Sequence, residues 1–260
     1  MPEGEQYKSP RQNKLMHEGS YSTTIMIHVK GRRLYVSGNP SRYNRLDNLF
    51  GLETLDKCVG VYNGILASLG LPVLTKCTKL GLMEHHQENG AIKLVPVVDG
   101  CVITTLHITT NMSVGPDSCI DTYIRAVSGL PYLHRKGRLH PDGKTADWLS
   151  NQGNARDLYA SIYDKAYEME NGKGCTLRKV KRTFGEHSEE YQYYLSLYQY
   201  CKQNGVARCE QKLNSPYLKK HGLQFYGLSD YSHLNKIHSE FLNLDQKLRL
   251  YVIHSGYAIL

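Results

Sequence analysis

The chain has 260 residues, enough for one large domain or a domain with an appendage, and enough to bury a hydrophobic core. Its formal net charge of +8 favours anionic partners such as nucleic acid, and its 20 tyrosines outnumber 4 phenylalanines and one tryptophan. No run of about 18 apolar residues occurs, so no membrane-spanning helix is expected. The N-terminal Met-Pro-Glu-Gly has no apolar signal region, and seven cysteines, odd in number and without Cys-x-x-Cys spacing, read as reduced thiols in a cytosolic chain.

Residues 1–19 are polar and read as poorly ordered. Ser22–Val29 and Arg33–Ser37 read as strands around a Lys30-Gly31 turn. Leu55, Cys58, Val59, Tyr62, Ile65, Leu66 and Leu69 recur at helical spacing until Gly70 and Pro72 stop them. Ala91–Val98 and Cys101–Thr110 read as a hairpin joined at Asp99-Gly100. Asp117 is expected to cap a helix through Ile120, Tyr123, Ile124 and Val127. Residues 132–154 form a long polar segment rich in Gly, His, Arg and Lys, of the kind that functional loops use. Leu158–Tyr163 reads as a strand, Lys165–Glu170 as the start of a short helix, and Lys173–Phe184 as a basic loop. Ser188 caps a helix with Tyr191, Tyr194, Leu195 and Tyr198 on one face. Val206–Leu213 is a strand, and Ser229 is placed to cap a last helix running through Leu248. Strands arranged as hairpins among helices predict an α+β fold, with a central, mainly antiparallel sheet and helices packed on one face.

Along an extended strand, alternation would put Tyr159, Ser161, Tyr163 and Lys165 on one side. A phenol with a pKa of about 10 is a poor nucleophile at neutral pH. A neighbouring cation that stabilises both phenolate and phosphate would make Tyr163 a nucleophile toward a phosphodiester. From spacing alone, a half-buried strand tyrosine beside a solvated lysine is the commoner outcome. On the upstream strand His107 shares a face with Ile103, Thr105, Thr109 and Asn111, and imidazole with amide or carboxylate oxygens suits a divalent metal. A lone strand histidine is more often structural. Glu210, alternating with Arg208 and Lys212, is a candidate ligand or general base, or else one half of a cross-strand ion pair. Basic clusters at Arg135, Lys136 and Arg138, at Arg178, Lys179, Lys181 and Arg182, and at Lys219, Lys220 and His221 are candidates for phosphate contact. His134 and His140 lie in the polar segment without a recognisable metal spacing.

From about Gly19 to about Leu248 the chain resembles the gene II replication initiators of filamentous bacteriophages. The resemblance is carried by Ser37-Gly-Asn-Pro-Ser41 followed by Asp47-Asn-Leu-Phe-Gly51, by Ile103–Asn111, and by Gly143-Lys-Thr145 with Trp148. It continues in Tyr163-Asp-Lys165 with Glu168, in Arg208-Cys-Glu210, and in Tyr217-Leu-Lys219 with Gly222-Leu223. The order and spacing of these segments, rather than any one of them, make it specific. The resemblance implies a fold related to the HUH nucleases, with a nicking domain at 19–228 between a polar segment at 1–18 and a helix and tail at 229–260. It implies a nick at the phage double-strand origin, a 5′-phosphotyrosine with a free 3′-OH, and later rejoining. In that reading Tyr163 is the nucleophile and Lys165 its neighbouring cation. His107, Glu210 and Asn111 hold Mg²⁺ or Mn²⁺.

The implied partners are origin duplex, single-stranded DNA and the host replicative helicase and polymerase, in the cytoplasm of a bacterial host. Three departures stand out. Thr105-Leu-His107 replaces the family's Arg-Ile-Asp, so His107 either takes over as ligand or leaves a weaker site, no strand is expected before Gly19, and the chain ends soon after the helix at 229–248, where longer members continue. The alternative functions are a non-catalytic DNA-binding relative that regulates replication, and a sheet that stacks single-stranded bases on tyrosines.

Overall fold

The computed structural model describes residues 6–9, 14–149 and 156–247. The chain divides into two compact units, residues 1–75 with 184–194, and residues 76–183 with 195–260.

In the first unit, strands β1 (Gln6–Ser9), β2 (Lys14–Gly19), β3 (Thr23–Lys30) and β4 (Arg33–Gly38) form an antiparallel sheet in sequence order. The polar start of the chain, expected to be poorly ordered and without a strand, therefore supplies two. A full ladder from Lys14↔His28 to Gly19↔Thr23 ties β2 to β3, and Leu15 packs against buried Ile25 and Ile27. Helix α1 (Leu55–Ser68) starts where the Thr54 side chain accepts the Lys57 N–H, and seats Ile65 and Leu66 in the same cluster. Tyr193 donates to the buried carboxylate of Asp47 at 2.9 Å.

The second unit holds strands β5 (Leu80–His86), β6 (Ile92–Val98), β7 (Thr105–Ser113), β8 (Gly137–Leu139), β9 (Thr145–Trp148), β10 (Leu158–Asp164) and β11 (Val206–Asn214). Its helices are α2 (Asp117–Ser128), α3 (Lys165–Asn171), α4 (Leu177–Phe184), α5 (Glu189–Gln203), α6 (Ser215–Lys220) and α7 (Ser232–Leu242), the ends of α4 and α5 being shared with the first unit. The central sheet runs β7-β11-β10-β9-β8 with every pairing antiparallel. One side of it is apolar. Leu106 and Ile108 of β7, Cys209 and Leu213 of β11, Leu158, Ala160 and Ile162 of β10, and Trp148 of β9 pack on Ile120, Ile124 and Val127 of α2, Leu218 of α6, and Ile237 and Phe241 of α7. Alternation predicts this division of the strands, since every second residue faces the same way.

Other expectations also differ from the structure. Asp99-Gly100 does not join two paired strands: β6 pairs with β5, and the Asp99 carboxylate accepts the Thr78 and Lys79 N–H groups at the base of that ribbon. The polar segment after 132 contains the β8–β9 hairpin, because Leu139 and Ala146 supply core contacts between charged neighbours; residues 150–155 lie outside the described part. The basic stretch is partly a helix, with Leu177, Val180 and Phe184 at i, i+3 and i+7 and Val180 buried. The last helix begins at Ser232, since Ser229 instead accepts the Phe225 N–H; Leu248 lies outside the described residues.

Candidate active site

The other side of the central sheet is polar, and the ladder registers place its residues in rows. One row reads Thr145, Tyr163, Arg208, Asn111 across β9, β10, β11 and β7. The next reads Arg138, Asp147, Ser161, Glu210, Thr109 across all five strands. A third brings Tyr159, Lys212 and His107 together. Tyr163, His107, Asn111 and Glu210, scattered over a hundred residues of sequence, thus share one face.

Arg208 is the hub of this face. It is 6% exposed, its Nε donates to Glu210 Oε1 at 2.8 Å, and one terminal nitrogen donates to Asn111 Oδ1 at 3.3 Å. The Tyr163 hydroxyl donates to the same Glu210 oxygen at 3.0 Å. Burial, then the charge of Glu210, pushes the Tyr163 phenol well above its ordinary pKa, and Arg208 offsets this only in part. At rest Tyr163 is therefore a neutral phenol with a carboxylate already on its proton. Sequence alternation reveals Arg208 and Glu210 as face-mates, but not that one guanidinium would bridge Asn111 and Glu210.

Lys165 does not continue the strand. Asp164 ends β10 and caps α3, its side chain accepting the Tyr167 N–H, so Lys165 opens the helix, 1% exposed and paired with Glu168. Burial lowers the Lys165 pKa while Glu168 pulls it up, and the charges of Glu168 and Arg208 act on both Lys165 and Tyr163. An open recess of about 340 Å³ lies against Tyr163, lined also by Asp142, Thr145, Asp164, Tyr167, Glu168 and Lys173.

Among the described residues no three His, Cys, Asp or Glu side chains stand together in a way that could hold a metal ion. Glu210 and Asn111 turn their oxygens to Arg208, and His107 is exposed opposite Lys212. Desolvation along the sheet and the Lys212 charge lower the His107 pKa, with Glu210 opposing. As arranged, this set does not fit a divalent cation, because a guanidinium already takes the place a cation would take.

The basic residues fall into two groups. Arg135 is locked to both oxygens of Asp157 at 2.9 and 3.0 Å, and Arg138 forks onto Asp147. Lys136 is exposed, as are Arg178, Lys179, Lys181 and Arg182 on α4. Lys179 also donates to the carbonyls of Lys173 and Gly174.

No helix among the described residues is long and apolar enough to cross a membrane. The family profile for the replication-associated protein G2P N-terminal region matches residues 3–232. The replication-associated protein G2P of Escherichia phage If1 is 50% identical over 224 residues, spanning 86% of this chain and 67% of that protein. No solved structure matches the chain. With the profile covering most of its length, the chain belongs to the replication-associated protein G2P family.

Proposed function

We propose that the chain nicks one strand of a phage double-stranded replication origin by transesterification through Tyr163, and later rejoins that strand. The observation that carries the proposal is the Tyr163 hydroxyl donating to Glu210 at 3.0 Å, beside Arg208 and at an open recess. As Tyr163 Oη attacks phosphorus, its proton passes to Glu210 Oε1. The new Oη–P bond forms while the P–O3′ bond breaks, and the electron pair leaves on O3′. Arg208, once Glu210 is neutralised, has its positive charge free to act on the phosphorane oxygens. Lys165, held by Glu168, adds positive charge to the same corner from below the surface. The phosphotyrosine keeps the energy of the phosphodiester, so attack by the 3′-OH reverses the step without another energy source.

Family resemblance brings Mg²⁺ or Mn²⁺ to His107, Asn111 and Glu210, and binding there requires Arg208 to leave Glu210 and Asn111. No step above depends on it. The exposed cations of α4 and Lys136 are the phosphate contacts in this reading, for duplex origin and single-stranded product alike. The host helicase and polymerase would then extend the free 3′ end in the bacterial cytoplasm.

The test is supercoiled phage replicative-form DNA incubated with the protein in Mg²⁺, Mn²⁺ or chelator and run on a denaturing gel. The proposal expects a nick and a covalent protein–DNA species, both absent with Tyr163→Phe. A salt-sensitive mobility shift without any adduct would instead establish a non-catalytic DNA-binding relative, the reading favoured by the poor fit of the metal donors.

A further inference from the structure

The nicking reaction has a second proton to account for, and the polar face holds a histidine that the mechanism above leaves unused. His140 follows β8, and its N–H donates to Thr145 O at 2.8 Å. It thereby extends the first row by one strand, so that His140 sits beside Thr145 and Thr145 beside Tyr163. The imidazole Nε2 lies 2.8 Å from Asp147 Oδ2. Asp147 is 1% exposed and has two other partners. Arg138 forks onto its two oxygens at 3.0 and 2.7 Å, and the Tyr159 hydroxyl reaches Oδ2 at 3.4 Å. Burial alone would favour a protonated Asp147, but the hydrogen bonds from Arg138 and His140 outweigh it and hold the carboxyl below its ordinary range. A buried carboxylate fixing one ring nitrogen leaves the other for chemistry, the arrangement that orients a general acid–base histidine. Nδ1 of His140 has no protein partner among the described residues, and the side chain is 32% exposed.

Position decides the role. The Tyr163 hydroxyl leans toward β11, where Glu210 accepts it, while Thr145 and Asp142, on β9 and the turn before it, are among the residues that line the recess with α3. A phosphodiester seated there and attacked from the β11 side has its leaving oxygen in line on the β9–β8 side. Other cations on that side are committed. Lys144 is bound to Asp121 at 2.6 Å and Asp164 at 3.4 Å, and Arg138 is bound to Asp147 and does not release protons.

We propose that His140, oriented by Asp147, protonates the leaving 3′-oxygen during cleavage and takes that proton back when the 3′-OH attacks the phosphotyrosine. The step rests on the nicking reading and completes its balance. One proton moves from Tyr163 to Glu210, another moves from His140 to O3′, and joining reverses both. Asp147 is a positioning residue in this scheme, and Arg138 keeps it ionised.

The experiment separates leaving-group protonation from everything else. The nick site is mapped with the wild-type chain on replicative-form DNA, and an oligonucleotide spanning it is made with either the ordinary bridging 3′-oxygen or a bridging 3′-sulfur. A thiolate leaves without an acid, an alkoxide does not. His140→Gln, which keeps an amide N–H for Asp147, is expected to form adduct about 100-fold or more slowly with oxygen and within about threefold of wild type with sulfur. Asp147→Asn should show the same pattern more weakly, with thermal melts confirming that both variants fold. An equal slowing of His140→Gln on both substrates, or none on either, overturns the assignment and leaves the cluster as a pin between β8 and β9. Absence of adduct from the wild-type chain on both substrates overturns the nicking reading and this inference with it.

Discussion

Replacing Glu210 by glutamine tests the centre of the site with the least disturbance of its shape. At its ordinary pKa of about 10, a phenol is ionised in only about one molecule in a thousand at pH 7. Burial and the Glu210 charge push Tyr163 further from ionisation. In the proposed nicking reaction a preformed phenolate is thus too rare to attack, and the proton has to leave as the bond forms. Glu210, 3.0 Å from the hydroxyl, is the acceptor in place. Loss of a positioned general base costs about 10²- to 10⁴-fold in rate. The amide oxygen of the introduced glutamine still accepts from Arg208, so the loss of stability is smaller, about 1–3 kcal/mol for a charged hydrogen bond made neutral. The assay is single-turnover adduct formation on a short oligonucleotide across the nick, with a thermal melt of each protein. A Glu210→Gln variant that melts near wild type and forms adduct within about threefold of the wild-type rate would refute the assignment of Glu210 as base.

Three other outcomes follow from the same geometry. Arg178→Ala with Arg182→Ala removes two exposed cations of α4, and the slope of log binding constant against log salt on duplex DNA should flatten by about 1.8, with an unchanged slope ruling out phosphate contact there. Gly100→Ala would place a Cβ 2.5 Å from the Cys77 nitrogen, so it should cost about 1–3 kcal/mol and loosen the base of the β5–β6 ribbon; unchanged melting and hydrogen exchange in both strands would contradict the packing. His238 is buried and burial lowers its pKa, so the neutral ring is the one that fits. Its stabilisation is complete above the unfolded value of about 6.5 and is lost as pH falls toward the depressed folded value, with a slope of at most about 1.4 kcal/mol per pH unit. His107 and His221 shift in the same direction, so the measurement is the difference between wild type and His238→Asn, which should carry up to one proton of slope; identical pH dependence of the two would sink the argument.

The sequence made the central strands readable because each alternates cleanly. In Leu158-Tyr-Ala-Ser-Ile-Tyr the apolar members all face α2 and the polar ones the site, as alternation requires. The same rule misled at Lys165, because Asp164 is both the last strand residue and a helix cap, and the period changes from two to 3.6 at that point. Residues 132–154 looked like a loop because β8 and β9 are only three and four residues long and carry charged side chains on the site face. Trp148 of β9 also reaches the Leu130 carbonyl through its Nε1–H at 2.8 Å, a contact that spacing cannot reveal. The grouping of Arg208 with Asn111, and of Arg138 and His140 with Asp147, is set by strand order. Order among antiparallel strands is decided by the helices that cross between them, not by the strands' own composition.

Strand order alone would still leave the site undefined, since a slip of one residue turns every side chain of a strand to the opposite face. Apolar contacts are poor at forbidding such a slip on β11, where Ala207, Cys209 and Leu213 are generic in shape. Gln211 is different. It is fully buried on the core side, its Nε2 donates to the Tyr132 hydroxyl at 2.7 Å, and its Oε1 lies 2.8 Å from His238 Nδ1. The other ring nitrogen of His238 lies 2.8 Å from the Thr110 hydroxyl on β7. The neutral ring with its proton on Nδ1 satisfies both contacts, donating to Gln211 and accepting from Thr110. Slipping β11 by one residue would replace Gln211 with Glu210 or Lys212 in that pocket and strand a charge beneath the sheet, a far larger cost than any lost apolar contact. The polar chain through Tyr132, Gln211, His238 and Thr110 therefore specifies, from the hidden side, that Glu210 meets Tyr163 on the open one. The proposed chemistry on the exposed face would depend on a buried network on the opposite side of the sheet.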